Sequence, residues 1–297
     1  MLVALIVPVV LATLSLTFVL VRAAIRDRAT PTLETIVLGA VVSFFDTLGI
    51  GCFAPSTAWL KFRHLVPDRL IPPTILVGLT ITAVVESIIF FIRLGVRVDP
   101  VLLVGCVLSC LMGGLLGAPL VHRAQVWIVQ LVVAAGLFAA AAAYAMTNLH
   151  LFPGGGSASS LSPALTVLAI TANFIFGVLL NFGVGNYAPT LVILSLMGMD
   201  PRLCFPIMAG AAALMGAGAG IRHIRIGEID LKVVLGLTIG GIPAVLVAAN
   251  IVVKMPIPML RWLVLIVVLY AALIMARAAF LGRREHRAEP ATAALAD

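Results

Sequence analysis

Eight residues of this chain occur twice in related form. Leu48-Gly49-Ile50-Gly51-Cys52-Phe53-Ala54-Pro55 returns as Phe182-Gly183-Val184-Gly185-Asn186-Tyr187-Ala188-Pro189, 134 positions later. The same offset carries Pro67 onto Pro201 and Pro72 onto Pro206, and Ile92-Arg93-Leu94-Gly95 answers Ile224-Arg225-Ile226-Gly227 at an offset of 132. The chain is a duplication, and each copy interrupts an apolar segment with a glycine pair followed by proline. Such interruptions at corresponding places in two halves point to the substrate site of a secondary transporter. The backbone groups they free find no partner in lipid, so they must face protein or a ligand cavity.

Lipid is the solvent because 62% of the 297 residues are hydrophobic and 10% are charged, more apolar surface than a water-soluble domain of this size needs to bury. A helical crossing takes about 20 apolar residues. Seven stretches supply it: 1–21, 71–92, 100–121, 125–147, 203–221, 231–250 and 257–280. The first lacks a basic leading region and a small-residue cleavage site and is followed by Arg22, Arg26 and Arg28, so it is expected to stay as a helix rather than leave as a signal peptide. The net charge of +7 sits in short loops and at the C-terminus, where membrane topology accounts for it and a nucleic-acid partner is not required. Cys52, Cys106, Cys110 and Cys204 form no CxxC pair and read as small buried side chains. No nucleotide, dinucleotide or zinc motif is present in the sequence, so no cofactor, metal site or enzymatic activity is expected.

The segments 33–65 and 162–198 are each split by the glycine–proline motif into arms too short to cross comfortably. A hairpin that enters and leaves on one side, with its tip near mid-membrane, fits those lengths. With such hairpins the 19 Lys and Arg residues divide 14 against 5 between the two faces; if both segments crossed, the division would be 12 against 7. The stronger asymmetry favours the hairpins. Each half is then one hairpin plus three crossings, an odd number that inverts the second half. The expected architecture is an all-α polytopic membrane protein with two inverted-topology repeats. Residues 1–32 form an N-terminal helix and basic loop, 33–147 the first repeat, 148–161 a flexible Gly/Ser linker, 162–281 the second repeat and 282–297 a cytoplasmic tail. The N-terminus lies outside.

Two tips facing one another at mid-membrane each present the start of a helical arm, near Ala54-Pro55 and Ala188-Pro189. Proline suits the first turn, where no intrahelical donor is needed, and exposed amides at the positive end of a helix favour an anion. Gly49, Gly51, Gly183 and Gly185 permit close approach of the backbone. Ser56 and Thr190, one position after each proline, and Asn186 and Tyr187 are candidate side-chain donors, and Cys52 lines the first motif. Glycines that merely allow helices to pack closely are the alternative. Charges at bilayer depth cost roughly 3 kcal/mol or more, which singles out Glu86 and Asp46. Glu86 is a candidate proton carrier or a structural hydrogen-bonding group, and Asp46 a candidate for orienting the first tip. His64, His122, His150, His223 and His286 fall in loops or at helix ends, and Arg93 and Arg225 read as interfacial anchors or as cations drawing anions to each vestibule.

These residues resemble the TauE/SafE sulfite exporter family, whose glycine-rich signature followed by Ala-Pro is present twice here. The resemblance covers roughly 33–281; the first copy departs from the fuller glycine run common in the family. It implies a secondary transporter of the bacterial inner membrane moving sulfite, thiosulfate, sulfoacetate or a related organosulfur anion. It also implies a binding site at Gly49, Gly51, Ala54 and Pro55 with Gly183, Gly185, Ala188 and Pro189. Export of sulfite by alternating access is the expectation, with import or export of another organosulfur anion, or a passive anion channel, as the alternatives. An intramembrane enzyme needs a nucleophile–base pair or metal cluster, and a cation carrier more midplane carboxylates. The expected partners are the small anion and the bilayer; a homodimer is left open.

Overall fold

The computed structural model describes residues 2–117, 125–149, 156–180, 185–227 and 229–293. Eleven α-helices run through them: α1 (Leu2–Arg26), α2 (Leu33–Thr47), α3 (Phe53–Phe62), α4 (Ile71–Arg93), α5 (Pro100–Gly117), α6 (Val126–Asn148), α7 (Pro163–Leu180), α8 (Tyr187–Leu196), α9 (Phe205–Ile226), α10 (Leu231–Lys254) and α11 (Ile257–Ala293). Among the described residues eight helices are long and apolar enough to cross a membrane, one more than the sequence reading assigns. The addition is α7, whose apolar run reaches 18 residues, about 27 Å at 1.5 Å per residue. Its counterpart α2 stops at 15. The chain is an all-α polytopic membrane protein.

The breaks between arms have a backbone cause. Gly49 and Gly51 take φ of +95° and +86°, a left-handed conformation that costs any residue with a Cβ about 1–2 kcal/mol, so α2 ends at Thr47 and the chain turns. The helix restarts at Phe53, with Pro55 third in α3, and the second copy restarts at Tyr187, with Pro189 third in α8. In a first turn the missing proline N–H leaves no intrahelical bond unmade.

Contacts fix the relative directions of the helices. Thr35 lies against Gly236 and Ser43 against Gly241, so α2 runs parallel to α10. Asp230 N donates to Thr74 Oγ1 at 3.0 Å, Thr238 Oγ1 to Gly78 O at 2.8 Å, and Arg93 Nη2 to Asn250 Oδ1 at 3.1 Å; α4 therefore also runs parallel to α10. Since α2 and α4 point the same way, α3 must carry the chain back between them. The second half repeats this: Ile170 meets Gly105 and Phe174 meets Gly113, so α7 parallels α5, while Val107 meets Gly210 and Met215 meets Gly114, so α5 parallels α9. Here α8 is the return arm.

The ends of both hairpins meet, as doubling back requires. At the first foot Glu34, in the opening turn of α2, accepts from Arg63 Nε at 2.8 Å and from Trp59 Nε1 at 3.1 Å. The Arg63 hydrogen bond holds the half-buried Glu34 carboxyl below the usual carboxylate range. At the second foot Ala158 N donates to Gly198 O at 3.2 Å and Asp200 N to Ala158 O at 3.0 Å. The described part of the linker is therefore stitched down, and not the free tether its Gly/Ser composition suggests; Asp99 N also donates to Ser159 O at 3.0 Å. Residues 151–155 lie outside the described residues.

Corresponding helices of the two halves pack on each other head to tail. Phe91 meets Gly210, Thr80 meets Gly216 and Val77 meets Gly220, which makes α4 and α9 antiparallel. Asn148 Nδ2 donates to Arg261 O at 3.2 Å, while Trp127 lies against Gly282, so α6 and α11 are antiparallel as well. Arg93 and Arg225, in the last turns of α4 and α9, consequently mark opposite ends of the molecule. Helix α1 sits outside this arrangement, its Leu16 and Leu20 buried with Val77, Ile81 and Val234.

Candidate functional site

Glu86, deep in α4 and 1% exposed, is where the two hairpins come together. Thr47, the last residue of α2, lies 3.2 Å from its Oε2 through Oγ1. Tyr187, the first residue of α8, donates from Oη to its Oε1 at 3.1 Å. One carboxyl thus touches both tips. The nearest neighbours of Gly49 beyond its own turn are Leu191 of α8 and Val267 of α11, so the first tip rests on the second half.

Around this junction lie most of the residues singled out from sequence. The Asp46 backbone carbonyl accepts from Gly49 N at 2.7 Å, and its carboxyl faces Cys52 across the turn; both contacts shape the tip. Cys52 is buried, as are Cys106, Cys110 and Cys204, and all four are unbridged. Gly51 faces open space, with no atom within 4 Å of where a Cβ would lie, and the exposed Gly185 does the same. Gly183 lies outside the described residues, as do His122 and His150.

The first intrahelical bonds of the return arms are Ser56 N to Cys52 O and Thr190 N to Asn186 O, both 3.1 Å. The amides of Phe53 and Ala54, and of Tyr187 and Ala188, come before them and have no acceptor within the helix. Pro55 and Pro189 carry no N–H. Each tip therefore holds a short row of backbone donors at a helix end carrying about half a positive charge.

The side-chain donors divide differently from the sequence expectation. Ser56 Oγ is buried without a protein partner. Its counterpart Thr190 already donates to Asn173 Oδ1 of α7 at 3.2 Å, which ties the two arms of the second hairpin together. Asn186 Nδ2 donates to Met208 O of α9 at 3.4 Å, and the Tyr187 hydroxyl is committed to Glu86. Ala188 and Pro189 are buried and Pro55 is half-buried. Thr47 and Asn173 escaped the sequence reading. Asn173 is a lone amide inside an 18-residue apolar helix, a usable signal, whereas nothing local marks Thr47.

Glycines set how closely the inward-running arms are held. A Cβ on Gly39 would lie 2.5 Å from Leu237 O and 2.6 Å from its Cα, so α2 rides backbone to backbone on α10, with Gly240 seated against Ile36 O. The counterpart contact uses Gly113 against Phe174 O and Gly177 against Cys110 O. Small residues of this kind let membrane helices approach closely. Among the described residues no group of three or more His, Cys, Asp or Glu side chains is arranged to hold a metal ion.

No curated protein and no solved structure matches the chain. The family model Sulfite exporter TauE/SafE matches residues 163–296, the second hairpin and the three helices after it, and over that stretch, which holds the second copy of the motif, the chain is similar to a family of membrane transporters, as the resemblance implied.

Proposed function

We propose that the protein is a secondary carrier that exports a small sulfur oxyanion, sulfite first among them, across the bacterial inner membrane by alternating access. The observation that carries the reading is the meeting of the two tips at Glu86: the end of α2 and the hydroxyl of the first residue of α8, from duplicated motifs, reach one carboxyl deep in a chain built for lipid. Helix starts of this kind suit an anion. The substrate would lie against the backbone of Gly49, Gly51, Cys52, Ala54 and Pro55 and of Gly183, Gly185, Asn186, Tyr187, Ala188 and Pro189, with Ser56 as the unengaged hydroxyl.

The halves act as inverted repeats in this reading. Support comes from the antiparallel pairing of α4 with α9 and of α6 with α11, since copies related by an axis in the membrane plane run oppositely, and from the charge asymmetry of the loops. The N-terminus is then outside and the tail cytoplasmic. A negative-inside potential favours export of an anion by about 2.3 kcal/mol per charge per 100 mV.

Proteoliposomes under a clamped potential test the proposal. Saturable sulfite movement, inhibited by thiosulfate or sulfoacetate in competition but not by chloride, is the expected result. Unsaturable conductance would make the protein a channel, and no flux of any of these anions would overturn the reading.

A further inference from the structure

A site for an anion that contains two carboxyls, Asp46 and Glu86, needs an account of their charge, and the hydrogen bonds around Glu86 supply one. The Thr47 hydroxyl has a single proton. Its Oγ1 lies 2.8 Å from the Ser43 carbonyl oxygen and 3.2 Å from Glu86 Oε2. A carbonyl oxygen accepts and never donates, so the shorter contact takes the Thr47 proton. The contact to Glu86 is then a hydrogen bond only when Oε2 carries a hydrogen of its own and donates it to Thr47. Tyr187 Oη meanwhile donates to Oε1. The protonated carboxyl completes a directed chain from Tyr187 through Glu86 and Thr47 to Ser43, in which every short contact is a hydrogen bond. With the carboxylate ionised, the single Thr47 proton serves either Ser43 O or Glu86 Oε2 and one of the three contacts is left unmade, around a carboxyl 1% exposed.

We infer that Glu86 is a proton-binding group of the carrier, that it holds its proton in this conformation, and that the proton moves in step with the anion. The coupling rests on the anion-carrier reading; the proton on Glu86 does not. The neutral acid lets an anion approach the tips without facing a second negative charge. When the proton leaves Oε2, Thr47 must turn its hydroxyl from Ser43 to the carboxylate, so the junction between the first tip and α4 is rearranged by the same event. The titratable groups facing Glu86 are Asp46 and Cys52 from the first tip and Tyr187 from the second. The charged residues of α1, α9 and α10, among them Arg22, Arg26, Arg222, Arg225, Lys232 and Lys254, sit towards helix ends, and Lys61 closes α3.

Infrared spectroscopy of the purified protein in nanodiscs, joined to a proton count in proteoliposomes with an entrapped pH dye, tests this. The expected spectrum shows a protonated-carboxyl C=O band at neutral pH that Glu86→Gln removes, Asp46→Asn retains and Thr47→Val shifts by deleting only its acceptor. The expected count is one proton per anion in the natural protein and none in Glu86→Gln, at whatever anion exchange remains. A spectrum without the band, a band lost with Asp46→Asn instead, or a proton count unchanged by Glu86→Gln overturns the inference. Absence of any anion flux overturns the anion reading and the coupling with it, while the infrared band still decides whether Glu86 holds the proton.

Discussion

Replacing Gly39 by alanine tests whether α10 positions the first tip. The new Cβ would lie 2.5 Å from Leu237 O, and ordinary contact begins at 3.4 Å, so α2 and α10 must part by 0.9 Å. The obstructing atoms are backbone and cannot rotate away. Helix α4 stays with α10 through the Thr238–Gly78 bond, so the shift moves Thr47 relative to Glu86. Added along the contact, it would stretch 3.2 Å beyond hydrogen-bonding range. Overpacking costs about 1–3 kcal/mol, and the higher helix propensity of alanine offsets about 1 kcal/mol, so the variant folds with a modest loss of thermal stability. A misplacement of about 1 Å at a reacting or binding centre can cost on the order of 10²-fold in rate, and that is the loss expected in sulfite flux. Gly136→Ala, on α6 with nothing within 4 Å, serves as the control and should transport normally. Flux through Gly39→Ala equal to that through the control would refute the idea that this helix contact sets the tip.

Other perturbations separate backbone strain from blockage and from lost hydrogen bonds. Gly51→Ala should lose about 1–2 kcal/mol to its left-handed backbone, whereas Gly185→Ala, not held at positive φ, should leave thermal unfolding unchanged; leucine at either position should abolish transport with insertion intact, and normal flux in both leucine variants would remove the tips as the site. Tyr187→Phe leaves a buried Glu86 oxygen without its donor, a loss of about 1–3 kcal/mol that a thermal melt in detergent would register; an unaltered melt and flux would count against the junction. At the first foot, the Glu34 carboxyl is held low by Arg63, so its stabilising contribution is complete above the unfolded-state value and disappears as pH falls through the folded-state value. Protease nicking near His64 should therefore increase on acidification in the natural protein and be raised and pH-independent in Glu34→Gln; identical profiles would dismiss the foot as a stabilising contact.

The sequence made the breaks legible because glycine and proline act on their own backbone: the tips, the restart of helices at Phe53 and Tyr187, and the proline in each first turn were readable without any tertiary information. Counting cations also pointed to hairpins, and the Glu34–Arg63 foot and the Ala158–Met199 bridge show both segments doubling back. Partnership was not readable. Glu86 stood out by its charge, but its bonds run to Thr47, 39 residues away, and Tyr187, 101 residues away. Thr190 looked equivalent to Ser56, yet an asparagine on α7 claims its hydroxyl while the Ser56 hydroxyl is buried without a protein partner. The linker composition suggested freedom, and in its described part backbone bonds from Ala158 to Gly198 and Asp200 removed it.

The packing of the inward arms has a mechanical consequence. Helix α2 is seated on α10, and α7 on α5, so each half of the sequence lends its arm to the other half. Helices α2, α4 and α10, and helices α5, α7 and α9, are then parallel groups that each draw on both halves of the sequence, and they meet along the antiparallel α4–α9 seam. Cutting the chain at the linker would part every arm from its seat, so the two fragments should be soluble in detergent as a folded pair only when produced together.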